Sequence, residues 1–467
     1  MFKRQLTAAA VALAFAGPAF AQDAEIAKIR DEIRQMKEGY ERRIEALEKR
    51  LAEAEAKAGK AERSAESAAA STPGSPASSE GAFNPAVSLI MQGTYAKTSQ
   101  DPNTYRITGF VPSGGEVGPP KRSFGLGETE LAIATNIDPY FRGVAIAALA
   151  PEGGVGVEEA YFQTLALPAG LTVKGGRFFS AIGYQNEQHQ HAWDFQDTAL
   201  AYKAFLGGQL KHDGVQLKWI APTDLLIEVG AELSAGDRFP GSDRNNNGVG
   251  ASSLFAHVGG DIGASTAWRA GVSYLRTSPR DRAYDSDVDS LGAPVTNSFS
   301  GRSRLWVADA VLKWAPNGNS TSTNFKLQGE YFRRAENGRL TYDDTAGNNL
   351  FGGPVTGAFD SRQSGWYAQG VYQFMPRWRA GYRYDRLNFG TVDNGIVQGG
   401  LGPVAADFPV LTPYSSSRDT LMLDWSPTEF SRLRLQLASD KSRMGLTDNQ
   451  ILVQYIYNLG AHGAHKF

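Results

Sequence analysis

The sequence contains no cysteine. That excludes a disulfide framework, a thiolate zinc site and a thiol nucleophile. Net charge is also missing, because 47 Lys and Arg stand against 49 Asp and Glu, leaving −2 over 467 residues. So nearly neutral a chain has no general electrostatic drive toward nucleic acid, and no nucleic-acid partner is expected. Long apolar runs are absent too. Mean hydropathy is −0.33, and no stretch after residue 21 approaches the ~18 apolar residues of a transmembrane helix. There is no G-x-S-x-G, no phosphate-binding loop and no H-E-x-x-H, so no enzyme activity is expected. Glycine, by contrast, is plentiful at 52 residues, and aromatics reach 11%. That pairing points to an all-β chain, although an unusually long one.

Residues 1–21 have the form of a secretory signal peptide. Lys3 and Arg4 precede an apolar run over 6–16, Pro18 breaks it, and Ala19-Phe20-Ala21 fits a small-residue cleavage site. The chain is therefore expected to leave a bacterial cytoplasm. Over 22–58 the apolar positions Ile26, Ile29, Ile33, Met36 and Tyr40 step by three and four. Ile44, Leu47, Leu51, Ala54 and Ala58 continue the seam after one stutter. The spacing predicts a periplasmic α-helical coiled coil, and the isoleucines lean toward three strands. Over 59–82, Ser, Ala and Gly dominate, with Pro73 and Pro76. Such a segment cannot build a core and reads as a flexible linker.

From residue 83 to 467 the apolar period changes to two. Leu433, Leu435 and Leu437 alternate with Arg434, Gln436 and Ala438. Trp378, Ala380, Tyr382 and Tyr384 alternate with Arg379, Gly381, Arg383 and Asp385. One face of each strand suits an apolar medium and the other suits water. Short links fall near 138–139, 168–170, 221–224, 263–266, 316–321, 375–377 and 426–429. Mostly longer ones fall near 98–122, 150–156, 181–205, 235–251, 278–302, 336–362, 389–416 and 441–448. These links join sixteen strands with both chain ends on the short-turn side. The expected fold is a 16-stranded antiparallel transmembrane β-barrel preceded by the coiled coil, in the bacterial outer membrane and in contact with its lipid. The terminal Phe467 fits the aromatic end that barrel-assembly machinery reads, although His465, Gly463 and Ala461 stand where larger apolar residues are usual. Trp219, Trp268, Trp306, Trp314, Trp366, Trp378 and Trp425 suit interface girdles.

One stretch carries a family resemblance. A strand through Val157, Glu158, Glu159, Ala160 and Tyr161 is followed by the turn Pro168-Ala169-Gly170. A second strand ends Gly175-Gly176-Arg177-Phe178-Phe179, and a long loop begins Ser180-Ala181-Ile182-Gly183. With the overall layout of 83–467, this resembles the outer-membrane porins, and among them the phosphate-selective type and its uncharacterised proteobacterial relatives. The resemblance implies a passive channel for small hydrophilic solutes or ions, without a resident cofactor, and the coiled-coil seam makes a homotrimer the expected assembly. The resemblance also implies that the loop over 181–205 folds inward as a constriction.

Alternation assigns Lys218, Arg269, Lys313, Lys326, Arg379, Arg383, Arg432 and Arg434 to the lumen, together with Glu159, Glu228, Glu232, Asp261, Asp309, Glu330, Asp385 and Asp424. Cations and anions balance, and no dominant ladder of Arg and Lys is visible. A strongly phosphate-selective pore is therefore not expected. Arg379, Arg383 and Asp385, on one strand face, are best placed to shape the field.

The loop itself carries Glu187, His189, His191, Asp194 and Asp197. If it is extended, Glu187, His189 and His191 share a side. A His-x-His pair beside a carboxylate can supply N and O ligands to a divalent cation such as zinc, with Asp194 or Asp197 as a fourth. Transient capture of such an ion, and hence a metal-uptake channel or receptor, is one alternative function. A polar loop that binds no metal is the plainer expectation. A second alternative is an envelope tether acting through the coiled coil. His212 and His257 show no partner in the sequence. Asp243-Arg244-Asn245-Asn246-Asn247-Gly248 opens like a calcium loop but has Leu254 where the closing Glu belongs.

Overall fold

In the computed structural model, residues 85–460 are described, apart from 115–116, 151–152, 244–246 and 290. The expected signal peptide over 1–21, the coiled coil over 22–58, the linker over 59–82 and Phe467 lie outside the described residues.

Eighteen strand segments form a single antiparallel sheet. They are β1 (Ala86–Thr98), β2 (Ser123–Leu126), β3 (Thr129–Asn136), β4 (Phe141–Leu149), β5 (Val155–Thr164) and β6 (Leu171–Phe179). Next come β7 (Lys211–Ile220), β8 (Leu226–Ser234), β9 (Ala251–Ile262), β10 (Thr266–Thr277), β11 (Arg282–Val288) and β12 (Pro294–Trp314). The last are β13 (Asn324–Asp343), β14 (Val355–Met375), β15 (Trp378–Asn394), β16 (Ser417–Thr428), β17 (Ser431–Asp440) and β18 (Asp448–Gly460). Two pairs of segments are interrupted single strands. β2 and β3 both pair with β1, while β10 and β11 both pair with β12. Sixteen strands therefore go round the ring. It closes where β1 meets β18, from Ser88↔Gly460 to Thr98↔Gln450. Closure leaves no unpaired edge, the condition for a sheet to stand in hydrocarbon.

The side chains are arranged inside-out relative to a water-soluble protein. Leu433, Leu435 and Leu437 are 40%, 39% and 42% exposed, whereas Arg434 and Gln436 between them are fully buried. Apolar side chains cover the outside and polar ones fill the inside, the arrangement of a membrane-spanning barrel. Trp219, Trp268, Trp314, Trp378 and Trp425 lie near the short-turn ends of their strands, with Trp378 and Trp425 stacked at 5.9 Å. Trp306 and Trp366 stand partway along β12 and β14 against Tyr274 and Tyr384. Eight residues separate Trp306 from Trp314, roughly 26 Å along a strand. After tilt, that is about the height of a lipid-facing band.

The long links expected over 278–302 and 336–362 are partly strand. β12, β13 and β14 have 21, 20 and 21 residues, well beyond the roughly 9–11 that a crossing needs. They project past the girdle as a continued sheet. Val295, Phe299, Leu340, Tyr342, Phe359, Ile396 and Phe408 form a buried apolar cluster there. That cluster accounts for an ordered extension where polar loop was expected.

Candidate functional site

The link between β6 and β7 turns into the barrel. Its short helix, Leu200–Leu206, is buried along its whole length. Counting round the sixteen-strand ring, β6 is fifth and β15 thirteenth, directly across the lumen. The loop reaches that far wall, since the Leu200 N–H donates to Asp385 on β15 at 2.9 Å. It is fastened all the way across. The Ala181 N–H donates to Glu232 on β8 at 2.9 Å, and the Gly183 N–H to Ser273 on β10 at 3.2 Å. Glu330 on β13 accepts from the Tyr184 and Gln185 N–H groups, both at 3.1 Å, and from the Tyr202 and Tyr367 hydroxyls at 2.9 and 2.6 Å. Gly183 makes that convergence fit. Its φ is +70°, and a Cβ there would lie 2.3 Å from the Glu330 carboxylate.

The two charged stretches of the loop meet opposite chemistry. Asp194 accepts from Lys326 at 2.9 Å, Arg379 at 3.1 Å and Gln369 at 3.2 Å. Asp197 is met by Arg418, by Lys203 at 2.8 Å and by Arg383 at 3.2 Å. Arg434 and Arg432, on β17, donate to the carbonyls of Trp193 at 2.7 Å and His191 at 3.3 Å. Burial alone would push both loop carboxyls up. Lys326 and Arg379 outweigh it at Asp194, as do Arg418, Lys203 and Arg383 at Asp197, and both are held well below the ordinary carboxylate value.

The histidines point to the other wall. His189 Nδ1 lies 3.2 Å from both Glu130 on β3 and Glu158 on β5, and its Nε2 lies 2.9 Å from Glu159. His191 Nδ1 lies 3.1 Å from Glu130, and the two rings stack 5.8 Å apart. Burial would push the His189 imidazole down, but hydrogen bonds to Glu130, Glu158 and Glu159 outweigh it and raise it well above its ordinary value.

Of the lumen candidates, Lys326 and Arg379 hold Asp194, Arg383 holds Asp197 and Asp385, and Arg434 holds Asp424. Arg379 also meets Asp424. Lys218 pairs with Glu228 at 3.2 Å. Arg269 stacks over the Tyr184 ring of the loop at 5.4 Å, and Asp309 faces His257 at 4.0 Å.

Several expectations need correction. The loop is not extended through its histidines, because residues Gln190–Ala192 form a 3-10 turn that breaks the period of two. Glu187 consequently remains exposed. Asp194 and Asp197 are committed to cations of the far wall, so neither completes a ligand set with the histidines. His212 and His257 do have partners, Glu232 at 3.5 Å and Glu228 at 2.9 Å.

Glu130 and Glu158 were absent from the candidates. Glu130 was within reach of the alternation, since exposed Leu131 follows it. Glu158 was not. β4 and β5 slip register there, with Ile146 opposite Glu159 and Ala147 opposite Val157. The resulting bulge turns Glu158 inward beside Glu159, against the period of two.

With this geometry in place, relatives can be compared. The sequence matches no family model. An uncharacterised protein of Aquifex aeolicus (strain VF5) is 32% identical over 369 residues, covering 74% of this chain and 71% of that protein. The chain belongs to that protein's family. Among solved structures, a loop-deletion mutant of OmpT, an outer membrane protein of Vibrio cholerae, aligns with a TM-score of 0.49 at 13% identity, over 81% of this chain and all of that one. The outer membrane channel DcaP of Acinetobacter baumannii aligns with a TM-score of 0.46 at 12% identity, over 82% and 99%. An anion-selective porin from Comamonas acidovorans aligns with a TM-score of 0.44 at 9% identity, over 81% and 100%. Likenesses this distant say nothing about what this family member carries.

Proposed function

We propose that the protein is an outer-membrane channel through which small hydrophilic solutes or ions diffuse passively, with residues 181–205 as its constriction. One observation carries this reading: in a closed barrel with an apolar outside and a charged inside, the loop that follows β6 crosses to the opposite wall. A polar interior within an apolar shell gives water-soluble species a path through a membrane. A loop pinned across that path sets its width and field. No catalytic role is assigned to any residue. Three copies would assemble through the heptad seam of 22–58. The alternative of an envelope tether rests on 22–58 alone.

The paired lumen charges support mixed selectivity. Lys326, Arg379, Arg383, Arg418 and Arg434 line one side, but each is paired with a carboxylate of the loop or wall. Paired guanidinium groups have fewer donors left for a phosphate than a free ladder would.

Single-channel recording on the purified full chain in planar bilayers tests the reading. Steady, voltage-tolerant conductance is expected, and it should rise severalfold when residues 185–206 are replaced by a short Gly-Ser link. A correctly folded barrel that conducts in neither form would overturn the proposal.

A further inference from the structure

We propose that Glu130, Glu158 and His189 form a binding site for a divalent transition-metal ion, with zinc the best fit. The three donor atoms lie within 4.8 Å of one another. His189 Nδ1 is 3.2 Å from a carboxylate oxygen of Glu130 and 3.2 Å from one of Glu158. Zinc bonded to N and O at about 2.0–2.2 Å places neighbouring ligands of its tetrahedron roughly 3.3–3.5 Å apart. Two of the three edges are thus already close to the length a bound ion requires.

The surroundings set the imidazole for this role. Glu159 lies 2.9 Å from Nε2, so it can accept a hydrogen bond from Nε2–H and leave the Nδ1 lone pair facing the other two carboxylates. A carboxylate behind the outer ring nitrogen is the usual support of a zinc-bound histidine; it fixes the tautomer and raises ligand basicity. A lone pair and two carboxylate oxygens cannot stay at 3.2 Å without positive charge among them. A proton on Nδ1 reaches both oxygens only through hydrogen bonds, whereas a metal ion that replaces it bonds all three donor atoms directly. His191 Nδ1 holds the second oxygen of Glu130 at 3.1 Å, and Lys211 approaches the second oxygen of Glu158 at 3.6 Å. Both carboxylates are therefore oriented from behind. Glu130 is only 1% exposed and Glu158 7%. A mixed imidazole and carboxylate set selects zinc or its first-row neighbours over magnesium or calcium.

The site differs from the one expected from the loop sequence, because two of its three ligands come from the wall. It also holds whether or not the barrel conducts.

Titrating zinc chloride into the metal-stripped, detergent-folded full chain, followed by calorimetry, should show one strong site per chain. Cobalt substitution should give the intense visible absorption of a four-coordinate ion. Glu158→Gln should weaken zinc by more than the roughly 10- to 100-fold expected for the supporting variant Glu159→Gln. His189→Ala should abolish the cobalt band, and Glu187→Ala should change neither readout. Each variant is first checked for the electrophoretic shift of a folded barrel. If His189→Ala fails that check, Glu158→Gln decides alone. No zinc binding by the folded wild type, or binding unchanged in Glu158→Gln, would overturn the proposal. Conductance recorded on the same preparations separates this failure from a failure of the channel reading.

Discussion

The two ends of the inward loop invite comparison. Within nine residues the chain places two imidazoles against one wall and two carboxylates against the other. His189 and His191 face Glu130, Glu158 and Glu159 on β3 and β5. Asp194 and Asp197 face Lys326, Arg379, Arg383 and Arg418 on β13, β15 and β16. Counted along the sequence, the lumen charges cancel. Where they meet the loop they are sorted in space, with carboxylates against its histidines and cations against its aspartates. The lesson is that charge balance conceals charge position. The aspartate end is a set of satisfied ion pairs that fixes the loop. The histidine end has more carboxylate than it needs for fastening, and for that reason it supports a ligand site.

The sharpest way to break the comparison is Asp197→Leu. It leaves the buried Arg418 and Lys203 without the carboxylate they share. Removing one partner of a buried pair costs about 3–5 kcal/mol, to be read from the urea midpoint of the folded barrel. A loss below about 1 kcal/mol would mean that the aspartate end does not hold the loop.

Acid tests the same end. Because Asp194 and Asp197 are held below their unfolded values, they stabilise the folded state fully above the unfolded carboxyl value near ~3.9. That contribution is lost as pH falls toward the folded values. Loop cleavage by an acid-active protease should therefore rise below about pH 4, and more slowly in Asp194→Asn, which has no such charge to lose. Equal acid sensitivity in both proteins would count against the assignment.

Gly183→Ala puts a side chain at φ +70° and against Glu330. The backbone term alone is about 1–2 kcal/mol, and thermal unfolding should show it. The smallest effect belongs to Glu187→Ala, within about 0.5 kcal/mol because the residue is exposed. A larger loss would place Glu187 in the loop's anchoring after all.

Much of the barrel was legible because a strand in lipid must alternate. Leu433, Leu435 and Leu437 mark the outside as plainly as Arg434 and Gln436 mark the inside, and Gly and Pro punctuate the short turns. The projecting sheet of β12 to β14 was less legible. Its polar, glycine-containing sequence reads as loop until Phe299, Leu340, Tyr342 and Phe359 are seen to pack together.

The sequence by itself determined the sixteen crossings, the side of each strand that meets water, and which loop would carry histidine and aspartate. These are local properties, since period and turn chemistry act over a few residues. Only the tertiary structure decided what those loop residues would meet. Glu130 lies 59 residues from His189 in the chain, and Arg418 lies 221 from Asp197. Such partners become neighbours only when the ring closes and the loop turns in. Glu158 required one step more, because a single bulged residue on β5 reversed its facing and brought a second carboxylate to His189.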